Sequence, residues 1–190
     1  MARSKSYHKN IVCLESFWSH DVENRLSVQP ILEMASKKNY IKTVLLTCNT
    51  IEELKFNLGI VKNVRGYRIL YLAFHGYPGG IYLPDLKIDM ESLADFMKRD
   101  FREWIVYFDS CQTVSVEKDR ILNFMSKTGV TMVVGYSRRV DWLDGAAMDL
   151  LILDWIQYYK NMGRFWTRFK NAYKDLIRIT GLKVFFSNNY

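Results

Sequence analysis

Two stretches decide the reading of this chain: Ile69-Leu70-Tyr71-Leu72-Ala73-Phe74-His75-Gly76 and Trp104-Ile105-Val106-Tyr107-Phe108-Asp109-Ser110-Cys111. Each is an apolar and aromatic run that stops abruptly at polar residues. Buried strands that end in this way deliver their last side chains to the carboxyl edge of a sheet, where ligands bind in open α/β folds. The first run delivers a histidine and the second a cysteine. A thiol becomes a good nucleophile beside a base, and imidazole is the usual one. The pair His75 and Cys111 therefore points to a Cys–His hydrolase, provided the two strands are neighbours.

Working outward, residues 11–14, 41–47, 67–74, 104–108 and 130–136 read as strands. Residues 27–38, 49–64, 89–99, 117–126, 141–160 and 163–179 read as helices, the first with Ser27 as cap and Pro30 in its first turn. Residues 81–83 and 86–88 form a hairpin, and 184–187 a final strand at an edge. Strands alternating with helices give an α/β fold, a three-layer αβα sandwich around a mostly parallel sheet of about six strands. Residues 1–10 read as a basic flexible tail and 11–190 as one domain.

The bulk properties agree. The chain has 190 residues, 49% hydrophobic and 15% aromatic, enough for a real core and too apolar for extended disorder. The net charge of +7 is uneven: residues 160–183 hold seven Lys/Arg against the single Asp175. The ordinary reading is a solvated basic face; the alternative is an acidic partner such as nucleic acid. Three cysteines without C-x-x-C spacing exclude a disulfide framework and a zinc ribbon, and Cys13 and Cys48 read as inert buried thiols. The first apolar run breaks at Glu15, too early for a signal peptide, and residues 150–156 are too short to span a bilayer. The expectation is a cytoplasmic protein without a membrane segment. His8 and His20 have no paired ligand pattern. There is no H-E-x-x-H, G-x-S-x-G, G-x-G-x-x-G or P-loop, so no metal or cofactor is expected.

The residues around the dyad carry further chemistry. Gly76 lets the backbone approach a ligand and turn its N–H towards an oxyanion, with the Cys111 N–H as a second donor. Asp109 lies two positions before Cys111, so both side chains leave the strand on the same face. A carboxylate there floors a pocket for an Arg or Lys side chain; its alternative role is to cap the following turn.

The strand–His-Gly block followed by the strand–Asp-Ser-Cys block resembles the caspase-like cysteine peptidases. That group includes caspases, metacaspases, gingipains, separases and CHAT proteins. Asp109-Ser110-Cys111 is similar to the metacaspase nucleophile motif. The part from Gly129-Val130 through Met132-Val133-Val134-Gly135-Tyr136-Ser137 and Val140-Asp141-Trp142 to Ala146-Ala147 looks more like CHAT domains. The resemblance covers roughly residues 11–179. It implies a caspase-like fold and a cysteine endopeptidase, latent until activated, with Cys111 as nucleophile and His75 as base and then acid. It further implies Gly76 as oxyanion donor, Asp109 as the site for a basic P1 side chain, and Ser137 as a strand end that pairs with the peptide. Asp141 and Asp144 are weaker candidates for a second pocket carboxylate, with helix capping as the alternative. The implied partners are a protein substrate with basic P1, a regulatory protein and a second copy of the chain through residues 184–187. Regulation or bacterial defence is the setting that the family offers. Val114 departs from the pattern, because many relatives carry a glycine three residues after the cysteine. The rival reading is a non-catalytic caspase-like module that binds protein or nucleic acid through its basic face.

Overall fold

A computed structural model describes residues 7–187 except 20, 22 and 24. In chain order it contains β1 (Asn10–Glu15), α1 (Gln29–Asn39), β2 (Thr43–Thr47), α2 (Ile51–Val61), β3 (Tyr67–Ala73), β4 (Gly76–Tyr77), β5 (Gly80–Leu83), β6 (Leu86–Asp89) and α3 (Met90–Met97). There follow β7 (Ile105–Asp109), α4 (Lys118–Thr128), β8 (Met132–Tyr136), α5 (Trp142–Trp155), α6 (Met162–Ala172), α7 (Lys174–Thr180) and β9 (Leu182–Phe186). Six strands form one mixed sheet in the order β2-β1-β3-β7-β8-β9; every neighbouring pair is parallel except the last, where β9 runs antiparallel to β8. A small antiparallel sheet, β4-β5-β6, stands apart from it.

The alternation of side chains along each strand divides the core in two. Leu70, Leu72, Val106, Phe108 and Val133 face one layer, packed on Leu54 and Leu58 of α2, Leu93 of α3 and Phe124 of α4. Ile69, Tyr71, Ile105, Tyr107 and Val134 face the other, packed on Leu32 of α1, Met148 and Ile152 of α5, and Phe165 and Phe169 of α6. A period of two in the strands, with apolar residues on both faces, is what a sheet covered by helices on both sides requires.

Local signals explain most element ends. Thr50 and Glu53 form a reciprocal capping box at the start of α2. Pro30 sits in the first turn of α1; the cap position itself is Val28, while Ser27 Oγ one residue earlier accepts from Gln29 N at 3.1 Å and donates to Glu15. The expected hairpin gains a third strand, β4. The expected helix over 141–160 is α5 followed by a short 3-10 turn, Ile156–Tyr158. The expected helix over 163–179 is broken at Tyr173, whose ring packs on Trp155 and Phe169 and whose hydroxyl accepts from Trp155 Nε1 at 3.1 Å.

The expected flexible tail is partly anchored. Tyr7 N donates to Gln157 O at 2.7 Å, and Lys9 Nζ donates to the carbonyls of Ile156 and Tyr159 at 2.9 and 2.8 Å. Burial lowers the Lys9 pKa to about 8. Residues 1–6 lie outside the described residues, as does His20. No helix among the described residues is long and apolar enough to cross a membrane.

The departure at Val114 has a packing partner. Val114 is fully buried, and a Cβ built on Gly135 would lie 2.8 Å from its Cγ1. The glycine in β8 makes room for the valine after the cysteine. Gly135→Ala is expected to cost about 1–3 kcal/mol through overpacking. In a denaturation cycle, Gly135→Ala combined with Val114→Ala should lose less than the sum of the two single variants.

Candidate active site

β3 and β7 are parallel neighbours, with Ala73 opposite Asp109. His75 and Cys111 each lie two residues past that pair, at the carboxyl edge. Both line the same two cavities. His75 Nε2 lies 2.7 Å from the backbone carbonyl of Trp18. A carbonyl only accepts, so Nε2 carries the hydrogen and the neutral ring keeps its free lone pair on Nδ1. The Trp18 ring stands edge-on to His75 and to Trp142, at centroid distances of 5.3 and 5.2 Å. This segment after β1 therefore orients the histidine through both its backbone and its side chain.

The turn after β7 is held on several sides. Gln112, directly after the cysteine, has φ 63°, a left-handed conformation uncommon for a residue with a Cβ. Its N–H donates to Arg138 O at 3.2 Å, and Val114 N donates to Tyr136 O at 3.4 Å. Ser110 and Thr113 share a hydrogen bond of 2.7 Å, and Thr113 Oγ1 donates to Gly80 O, which ties the turn to the small sheet. The Cys111 sulfur is partly buried and accepts from Val140 N at 3.4 Å. Gly76 lies hard against this turn: a Cβ there would sit 2.3 Å from Cys111 O and 3.0 Å from Cys111 N. Only glycine allows that approach.

On one side of the dyad is a narrow cavity of about 190 Å³. Its walls include Trp18, Val28, Tyr136, Val140 and Trp142, and its floor holds Asp109 and Asp149. Asp149, on α5, is 1% exposed and accepts hydrogen bonds from three tyrosine hydroxyls: Tyr71 at 2.5 Å, Tyr136 at 2.6 Å, and Tyr107. Desolvation, then the charge of Asp149, holds the Asp109 carboxyl well above the usual carboxylate range. Desolvation raises Asp149 too, against the pull of its tyrosine donors. The pair thus retains a proton at a pH where exposed aspartates have lost theirs. On the other side of the dyad is a broad groove of about 780 Å³, lined by Phe17, Tyr77, Tyr82, Pro84 and Arg139 among others.

The structure does not bring every expected residue to this site. Ser137 lines neither cavity; its N–H and hydroxyl both donate to Gly181 O, at 3.0 and 2.7 Å, so the end of β8 is already engaged by the turn into β9. Asp141 lies at the cavity wall, yet its carboxylate accepts from Leu143 N and caps α5. Asp144 sits in the first turn of α5 and does not line the cavity. The second carboxyl is Asp149 instead. Trp18 and Thr113 are further residues that the motifs do not reveal. No group of three or more His, Cys, Asp or Glu among the described residues could hold a metal ion.

A raised carboxyl pKa makes the folded chain bind a proton that the unfolded chain has released, so stability falls as pH rises above the ordinary aspartate value. Asp109→Asn removes that penalty. Thermal unfolding should show the variant gaining on the parent as pH rises above the ordinary aspartate value, with no difference below it.

No curated protein matches the chain. The family model of DUF6642, a family of unknown function, matches residues 8–186. The chain belongs to that family.

Proposed function

We propose that this protein is a caspase-like cysteine endopeptidase that cuts after Arg or Lys. The observation that carries the reading is the position of Cys111 and His75 at the divide between a narrow cavity floored by two carboxyls and a broad open groove. The cavity suits one basic side chain, and the groove suits the chain that carries it. Further support comes from the six-stranded, largely parallel sheet with the two motif-bearing strands side by side, as the family resemblance implies.

The chemistry follows from the groups at hand. His75 Nδ1 takes the proton of the Cys111 thiol, and the sulfur attacks the carbonyl carbon after the basic residue. The carbonyl π pair moves to oxygen, where the N–H groups of Gly76 and Cys111 stabilise the developing charge. The tetrahedral intermediate collapses by breaking the C–N bond, and the imidazolium protonates the departing amine. Water, deprotonated by His75, then attacks the thioester and releases the acid and the thiol. Trp18 O holds the ring in the required tautomer and favours the imidazolium between the two proton transfers.

The floor chemistry suits a basic side chain. Entry of a guanidinium or ammonium displaces the shared proton, so affinity for a basic P1 should rise with pH as the pair ionises. Tyr71, Tyr107 and Tyr136 keep Asp149 in place without neutralising it.

Intact-mass labelling with an acyloxymethyl-ketone peptide bearing P1 Arg tests the reading. Cys111 should be modified, with no modification in Cys111→Ala and little by a P1 Asp probe. Asp149→Asn should slow labelling by about 10²-fold, the cost of removing one partner from a buried charge pair. Labelling by the P1 Asp probe alone would overturn the pocket assignment. Gly76→Ala should abolish labelling, because its methyl group collides with the Cys111 peptide.

A further inference from the structure

The basic C-terminal region takes no part in the site above. Arg164 and Arg168 lie four apart on one side of α6, and Lys160 lies two residues before the helix begins. They line an open pocket of about 570 Å³ together with Tyr7, Tyr158 and Tyr159. All three cations are exposed. The acids nearest in sequence are engaged elsewhere: Asp154 with Lys38 at 3.5 Å and Asp175 with Arg178 at 3.9 Å. Among the described residues, no ion pair involves Lys160, Arg164 or Arg168.

This arrangement does nothing for the helix. The like charges of Arg164 and Arg168 at i,i+4 repel, and the first turn of α6 has no acid to complement its dipole. A bound anion would turn the same three charges into an attraction. The wall is also fixed in place. Tyr7 N is bonded to Gln157 O, and half-buried Lys9 Nζ donates to the carbonyls of Ile156 and Tyr159, so the N-terminal segment holds Tyr7 against the pocket.

We propose that this pocket binds a nucleotide, with its phosphates on Lys160, Arg164 and Arg168 and its base against the tyrosines. Two guanidinium forks and an ammonium match a polyphosphate better than a single carboxylate, because arginine engages phosphate oxygens in bidentate fashion. Aromatic faces supply the surface on which a base stacks. The row of cations ends at Ala172, the next position four residues on, so the pocket offers no extended track for a polymer backbone.

Isothermal titration of the full chain with ATP, tripolyphosphate and adenosine, without divalent metal, tests this. ATP should bind about tenfold or more tighter than tripolyphosphate and than adenosine. The double variant Arg164→Gln/Arg168→Gln should weaken ATP binding by about 10²-fold. Lys170→Gln/Lys174→Gln, which removes the same charge outside the pocket, should change it by no more than about twofold. Absence of ATP binding would overturn the proposal. So would equal losses in the two double variants, tripolyphosphate binding as tightly as ATP, or binding of a single-stranded oligonucleotide alone. Cys111 labelling is a separate readout, so either result leaves the peptidase reading where it stands.

Discussion

The parallel pairing of β3 with β7 sets the position of nearly every group at the site. Ala73 lies opposite Asp109, so the two residues that follow each carry the chain to His75 and Cys111 at the same level of the sheet. The same register sets Tyr71 opposite Tyr107, with ring centroids 5.1 Å apart, on the face covered by α5. A slip of one residue would move every side chain of one strand to the opposite face. The dyad and the tyrosine cage would then be lost together. The bulky apolar residues on both faces, Leu72 and Phe108 on one and Tyr71 and Tyr107 on the other, make that slip costly and so hold the register.

The carboxyl floor works against the stability of the fold that contains it. Holding a buried Asp149 beside a half-buried Asp109 costs solvation and adds repulsion, and three hydroxyl donors offset only part of this. A protein selected for stability alone would place Leu or Asn at these positions. A local rule broken within an otherwise consistent core is a mark of a functional site. The Val114–Gly135 contact is the contrary case: a buried branched residue three positions after Cys111 is matched by a small one on β8.

The alternation of strands and helices, and the faces of the strands, were readable from periodicity alone. So was the convergence of His75 and Cys111, once the strands are neighbours. Asp149 was hidden because it lies in a run that reads as apolar helix. The signal for it was indirect: Tyr71, Tyr107 and Tyr136 all sit on buried strands, and buried tyrosine hydroxyls need acceptors. The contribution of Trp18 comes from a backbone carbonyl in an irregular segment, which no residue pattern encodes. Ser137 reads as a free strand end because the left-handed turn at Gly181 that engages it is distant in sequence. The break at Tyr173 involves neither Gly nor Pro; aromatic packing on Trp155 overrides a helical pattern there. The two-residue strand β4 is too short to show any period.

The histidine takes its hydrogen-bond partner from residue 18, the sulfur takes its donor from residue 140, and the pocket floor draws on residues 71, 107, 109, 136 and 149. These positions span most of the chain, and the sheet that unites them is built by non-local crossovers. Contacts of such long sequence separation form late, after loop closure over many residues. A chain still emerging from the ribosome, or one clipped in a loop, would hold a cysteine and a histidine but no assembled centre. Assembly of the complete sheet is thus the step that brings residues 18, 75, 111 and 140 together.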